Sequence, residues 1–423
     1  MRELSMCKLP SLRGAAGGQL RYHQSIMSAK AAMISEFAWD TAYHVRDEAE
    51  LLTPALAIYP EAITHNIECT LRLLDGRADR WRPHVKTAKL AFTMRMLVEK
   101  GIQNFKCATT LELLTACECG ARDVLLAYPS IGANALRVKA IVEEFRGVHI
   151  SVLIENESQL SQWASSRVGI FVDLNPGMNR TGIGQEQREE ILKLVGAAAA
   201  SGLEFRGLHY YDGQYAAAEE PERTRATHTG YDRLTEIIRA LDGAGTAVRE
   251  VITAGTPTFP CSLSYAGFRN ANFIHRISPG TIVYSDATSL AQLPAEYGFR
   301  PAALVLSRVV SHPRADILTC DAGHKAVSAD AGVPTCVVLG HPELRPLGPS
   351  EEHLPLAVEG QTATAHVGDM LYLLPRHVCP TVNLFDHALL VRNGAIEAIE
   401  RVTARGREAP LLSSDEKALQ ART

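Results

Sequence analysis

The sequence predicts an α/β protein in two parts: a parallel sheet wrapped by helices, then a mostly antiparallel β domain. Three observations carry this. Short apolar runs alternate with amphipathic helical stretches from Thr53 to about Tyr284, the rhythm of strand and helix units that cover a parallel sheet. Beyond about Leu290 the runs turn short, β-branched or alternating, with Gly and Pro between them. The chain has 423 residues, more than one compact small domain needs, so two domains are the default expectation.

Residues 1–45 hold Gly-rich and basic pieces, few acids and no apolar stretch of the secretory kind. They read as a poorly ordered extension, with an organelle-targeting peptide or a start at Met27 or Met33 as alternatives. Strand candidates follow at 54–59, 81–86, 105–108, 124–128, 150–154, 168–174, 205–211, 248–254 and 274–284. Helical spacing appears between them, as at 62–74, 87–98, 134–145, 189–200 and 223–241. Nine runs are one more than a (β/α)8 barrel requires, and spacing does not say which is extra. The second part offers strands at 303–310, 317–320, 335–339, 362–366, 370–374 and 388–392. The organisation is therefore a helix-covered sheet over 53–288, a β domain over 289–403 and a loose polar tail over 404–423.

Composition excludes several partners. A net charge of -4 without a basic patch disfavours nucleic acid and anionic membrane surfaces. No apolar run reaches membrane-spanning length. The nine cysteines are scattered without a CxxC pair, which predicts buried thiols in a reducing, cytoplasmic setting.

Chemistry concentrates at predicted strand ends. In Arg82-Pro83-His84-Val85-Lys86-Thr87-Ala88-Lys89, Lys86 stands where a strand opens into a helix, the end at which parallel α/β folds place their sites. Beside apolar residues and other cations, a lysine there is a candidate amine nucleophile toward an aldehyde; a solvated strand-end lysine is the plain alternative. Thr253-Ala254-Gly255-Thr256-Pro257-Thr258 and Ser278-Pro279-Gly280-Thr281 are candidate phosphate cradles, with Gly255, Thr256, Gly280 and Thr281 supplying close backbone approach and donors. Arg180 follows a third strand and suits a phenolate or carboxylate oxygen. His209 and Tyr211 alternate onto one strand face, toward a cofactor ring or into an aromatic core. His377-Val378-Cys379, taken as extended, puts an imidazole and a thiolate on one side, a donor pair for Zn²⁺, and His353 is a candidate neighbour. Cys117-x-Cys119 lies in a predicted helix, where residues two apart diverge, so burial is its default.

Five motifs then recur in one order: Arg-Pro-His-Val-Lys86-Thr-x-Lys, Gly177-Met-Asn-Arg180-Thr-Gly182, Asp321-Ala-Gly-x-Lys325, Ser350-Glu-Glu-His353 and His377-x-Cys379-Pro-Thr-x-Asn383. Together they resemble the D-threonine aldolase and D-serine dehydratase family, a branch of the alanine racemase-like, fold-type III pyridoxal phosphate enzymes. The resemblance covers about Thr53 to Arg392. It implies an N-terminal (β/α)8 TIM-type barrel with a C-terminal β domain, and makes the run near Ala55 the extra one. It implies that Lys86 holds the cofactor aldehyde, Arg180 meets its phenolic oxygen, and Gly255, Thr256, Gly280 and Thr281 hold its phosphate. Tyr211 is the candidate near the pyridine nitrogen, and His377 with Cys379 would bind the metal, Zn²⁺ first with Mn²⁺ or Mg²⁺ as alternatives.

Ser278 stands where alanine racemases carry an arginine, and no racemase-type tyrosine is placed in the β domain, so racemization is disfavoured. Cys379, where the family's aldolases commonly show Asp, tilts the expectation to dehydration of a D-serine or 3-hydroxyaspartate type substrate. Retro-aldol cleavage is the alternative, and a racemase or a non-catalytic pyridoxal phosphate carrier the lesser ones. The family favours homodimers and small D-amino acid substrates.

Overall fold

The computed structural model describes residues 42–360 and 364–412; most of the expected extension, part of the run at 362–366 and the end of the tail lie outside them. The strands of the first half are β1 (Ala55–Ile58), β2 (Asn104–Cys107), β3 (Asp123–Leu126), β4 (His149–Ile154), β5 (Gly169–Asn175), β6 (Ile183–Gly184), β7 (Glu204–Tyr210), β8 (Glu250–Thr253) and β9 (Ile274–Ile277). β2 to β5 and β7 to β9 pair in parallel, each with the next, and the two-residue β6 rides on β5. Helices Pro60–Leu73, Ala133–Glu144, Arg188–Ala200 and Glu222–Gly243 lie close to where spacing predicts them.

The expected strand at 81–86 is reduced to two parallel bridges, Trp81 with Ile277 of β9 and His84 with Lys106 of β2. These bridges close the curled sheet into a barrel. Pro83 has no N–H and breaks the ladder, although its carbonyl still accepts from the Lys106 amide at 3.0 Å. The helix expected from 87 begins only at Ala91. Residues 87–90 instead form a turn held by Lys89, whose Nζ donates to Glu112 at 2.6 Å and to the Ala404 carbonyl at 3.3 Å.

Period-two alternation layers the barrel interior. Near the strand N-termini Arg82 bonds both Asp123 and Glu250, while Arg206 pairs with Asp123 and Arg276 with Glu250. Two residues further along, Leu125, Phe171 and Ile252 join Leu153 in an apolar layer. The Arg82 and Arg206 guanidinium groups lie 6.0 and 5.5 Å from the Phe171 ring, so the charged layer rests on an aromatic face. Above this sit Lys106, Asp173 and His209, all buried polar groups that form the floor of the candidate site.

The second half contains β10 (Ala303–Arg314), β11 (Ile317–Cys320), β12 (Cys336–Leu339), β13 (Leu344–Pro346), β14 (Leu354–Val358), β15 (Met370–Pro375), β16 (His387–Arg392) and β17 (Ala395–Arg401). Its pairs are antiparallel except β1 with β16. β1 thus belongs to this sheet, although the sequence division places it in the first domain, because it sits between β10 and β16. β13, β14 and β17 were not expected; β17 reads Ala-Ile-Glu-Ala-Ile-Glu-Arg and is mostly half-buried or exposed, so its pattern resembles an amphipathic turn of helix. Residues 404–408 are not loose. Ala404 is buried, the Arg405 guanidinium donates to the Asn383 carbonyl at 3.0 Å, and Glu408 pairs with Arg137 at 2.7 Å. No helix among the described residues is long and apolar enough to cross a membrane.

Candidate active site

Arg82, His84 and Lys86 alternate toward the barrel axis, so Lys86 comes out half-buried at the C-terminal mouth. Its amide donates to His84 Nδ1 at 3.3 Å. Burial, then the charges of Lys86 and Lys106, hold His84 well below the usual imidazole range, which keeps that nitrogen an acceptor. The segment is tied to the second loop: Trp81 Nε1 donates to the Pro279 carbonyl at 2.9 Å, and Ser278 Oγ to the Arg82 carbonyl at 2.8 Å. Any side chain at Gly280 would collide with the His84 carbonyl oxygen, so glycine there lets loop and lysine segment touch.

The first loop is braced from beneath. Asp212 is buried and accepts from Thr258 Oγ1 at 2.5 Å and from the Tyr231 hydroxyl at 2.6 Å. Burial raises its carboxyl above the usual range. The Gly255 amide donates to Thr258 Oγ1 at 3.3 Å and is turned inward, whereas the amides of buried Thr256 and Gly280 find no acceptor among the described residues. A Cβ at Gly255 would stand 2.9 Å from the Tyr211 ring, so the loop packs directly on that tyrosine. Two strand-end amides without acceptors among the described residues, with the Thr256 and Thr281 hydroxyls beside them, fit an anionic phosphate.

Arg180 is exposed at the mouth with its guanidinium 4.8 Å from the Tyr211 ring centroid, and Lys106 Nζ lies 5.9 Å from the same ring. His209 and Tyr211 share the inward face as the alternation predicts, while Tyr210 packs outward against Tyr231 with ring centroids 5.5 Å apart. His209 Nδ1 is 2.7 Å from Asp173 Oδ1, and its Nε2 is 3.4 Å from Lys106 Nζ. Sequence reading missed Lys106 and gave Asp173 no role. The available signal was a lysine in the middle of a parallel strand, where both faces are covered.

His377 and Cys379 are adjacent, but not on an extended segment. His377 caps the short helix Val378–Val382, and Cys379 lies in its first turn. His377 Nδ1 is 2.7 Å from Asp330 Oδ2, which leaves Nε2 for a cation and makes Asp330 its outer partner. Burial opposes charge on His377, yet Cys379 and Asp330 lift its imidazole to about 9. Burial likewise opposes ionisation of Cys379, but His377 and then Lys86 bring its thiol below the usual range. A nitrogen and an ionisable sulfur side by side fit Zn²⁺, with open positions left for substrate and water. Among the described residues no third His, Cys, Asp or Glu completes a metal-binding group, so His353 does not join the pair. Its loop instead pairs with the other motif of the β domain, the His324 amide donating to the Ser350 carbonyl at 2.9 Å. Cys117 and Cys119 are buried, as expected.

The two halves meet at Cys379, whose Sγ is 2.9 Å from Thr87 Oγ1 and 3.6 Å from Thr281 Oγ1. The residue after Lys86 and the second loop therefore both touch a side chain of the β domain.

Comparison with known proteins agrees with this layout. Residues 58–287 match the model of the alanine racemase N-terminal domain, and residues 302–391 that of a putative serine dehydratase domain. The chain is 27% identical over 383 residues to 3-hydroxy-D-aspartate aldolase of Paracoccus denitrificans, covering 85% of this chain and 94% of that protein. It is 24% identical over 383 residues to D-threo-3-hydroxyaspartate dehydratase of a Delftia species, covering 83% and 97%. The crystal structure of D-threonine aldolase from Filomicrobium marinum superposes with a TM-score of 0.77 at 26% identity, covering 85% of this chain and 97% of the other. The first of these models alone spans more than half of the sequence, and the chain belongs to the alanine racemase-like pyridoxal phosphate enzymes, in the branch of the D-threonine aldolases and D-serine dehydratases.

Proposed function

We propose that this lyase acts on a D-configured β-hydroxy amino acid with pyridoxal phosphate at Lys86 and a divalent metal at His377 and Cys379, and that it dehydrates. The observation that supports this reading is the 2.9 Å contact between Thr87 and Cys379, which sets the residue after Lys86 against the β-domain side chain that Thr281 of the second loop also approaches. Pyridoxal phosphate, when bound, supplies an electron sink for a carbanion at Cα. Thr256, Gly280 and Thr281 would hold its phosphate and Arg180 its phenolic oxygen, and Lys86 would serve as the base for the α-proton. His377 and Cys379 would hold the metal, which would supply Lewis-acid polarisation at the β-hydroxyl. Cys379 in place of a carboxylate favours loss of that hydroxyl over cleavage of the carbon–carbon bond.

Retro-aldol cleavage is the second reading, favoured by the 27% identity to an aldolase. Incubation with D-serine, D-threonine and D-3-hydroxyaspartate in the presence of Zn²⁺ or Mn²⁺ decides between them. Ammonia with a 2-oxo acid supports dehydration; glycine with an aldehyde supports the aldolase and sinks the dehydratase reading.

A further inference from the structure

Lys106 projects into the barrel from β2, is 3% exposed, and has no part in the chemistry proposed for Lys86, His377 and Cys379. It neighbours the segment that carries Lys86: His84 and Lys106 form a parallel bridge, and the Lys106 carbonyl accepts from the Val85 amide at 2.8 Å. Behind it stand His209, 3.4 Å from Nζ, and Asp173, 2.7 Å from the far nitrogen of that imidazole. Asp173 is itself buried, and its Oδ2 has no hydrogen-bond partner among the described residues. The carboxylate fixes the proton of His209 on Nδ1, so the Nε2 lone pair faces Lys106. This is a three-member relay that ends beside the lysine of the cofactor site.

The surroundings of Lys106 are mixed in charge. His84 and Lys86 face it from the strand-end segment, Asp173 from β5, Arg180 from the loop after β5, and His209, Tyr211 and Asp212 from the end of β7. Burial and then the charge of Lys86 outweigh Asp173 and Asp212 and bring the Lys106 amine down to about 7. A free amine is thus present at neutral pH, next to a lysine that must shed a proton before it can attack.

We propose that Lys106 is a positioning residue that accepts and returns the proton of Lys86 as Lys86 captures the cofactor aldehyde. This rests on reading Lys86 as the capturing amine. In the step, the Lys86 ammonium passes one proton to the Lys106 amine, and the freed lone pair forms the C–N bond. A second Lys86 proton moves to the carbonyl oxygen, making a hydroxyl. That hydroxyl leaves as water with the proton returned by Lys106, and the C=N nitrogen keeps the third proton.

The test is rapid mixing of cofactor-free protein with pyridoxal phosphate, following the absorbance of lysine-bound cofactor from about pH 6 to about pH 10. Lys106→Met should slow capture at neutral pH by about tenfold or more, with recovery at high pH. Lys106→Arg carries a fixed charge and cannot accept a proton, so it should be slow as well. A wild-type rate in Lys106→Arg shows that no proton acceptor is needed there and overturns the proposal, and this variant decides the matter if Lys106→Met does not fold. A wild-type profile in Lys106→Met overturns it too. Lys86→Ala is run alongside: absorbance that survives there overturns the reading of Lys86 and the relay together. Absorbance lost in Lys86→Ala yet indifferent to Lys106 overturns the relay alone.

Discussion

Asp123 stands in the lowest layer of the barrel between Arg82 and Arg206, and its ionisation follows from that position. Burial pushes its carboxyl up, but the two guanidinium groups more than reverse this and hold it well below the usual carboxylate range. A depressed folded-state pKa contributes stability above the unfolded value of about 3.9, and that contribution is lost as pH falls through the folded value. Wild-type stability should therefore drop as pH is lowered from about 5. Asp123→Asn leaves buried cations under-paired and should cost about 3–5 kcal/mol near neutrality, with a shallower acid decline. Denaturant midpoints across that range check this, and parallel curves for the two proteins would rule it out. Lys106 is the counterpart at the top of the barrel. From sequence it reads as one polar position in Asn-Phe-Lys-Cys, because the His209 that gives it meaning is 103 positions away.

Among elements, the segment 81–90 shows what pattern reading reaches and where it stops. The apolar run predicted a strand opening toward a functional lysine, and the barrel does close through this run. It did not predict that the strand would survive only as two bridges, since Pro83 breaks the ladder while Arg82 is fixed by side-chain bonds to Asp123 and Glu250. The alternation of His209 with Tyr211 was legible, whereas the geometry of His377 and Cys379 was not. Their short helix is set by tertiary bonds, among them the Val378 amide to Asp286 at 2.9 Å. The strand-end loops can be probed through Gly280. Gly280→Ala forces a methyl group onto the His84 carbonyl. Overpacking of this kind costs about 1–3 kcal/mol, which should weaken cofactor binding by about tenfold or more. Fluorescence titration with pyridoxal phosphate, with circular dichroism to confirm the fold, reports it. Unchanged affinity would show that this contact does not hold loop and lysine segment together.

For the whole molecule, the decisive feature is that the barrel and the β domain meet at the candidate site. β1 threads from the N-terminal side into the second sheet, and Cys379 returns to touch Thr87 and Thr281. With the cofactor on the barrel side and the metal on the β-domain side, as proposed, the two functions should separate on mutation. Cys379→Ala, or exposure to a chelator, should abolish turnover while pyridoxal phosphate stays attached. Absorbance spectra with metal analysis of the same samples check this, and full turnover after metal removal would eliminate the metal role. The two-part architecture was legible because parallel strands with helices and short antiparallel strands leave different periodicities in the chain. The contact between the parts was not, because Thr87 and Cys379 are 292 positions apart and neither is unusual alone.

The proposed chemistry depends most on Lys86 as the amine that captures the cofactor. Borohydride reduction of the cofactor-loaded protein, followed by proteolysis and mass spectrometry, locates the pyridoxyl group on a residue. The modification is expected on the peptide carrying Lys86, at Lys86 itself. Stable modification at Lys106 or Lys89 with Lys86 unmodified would contradict it.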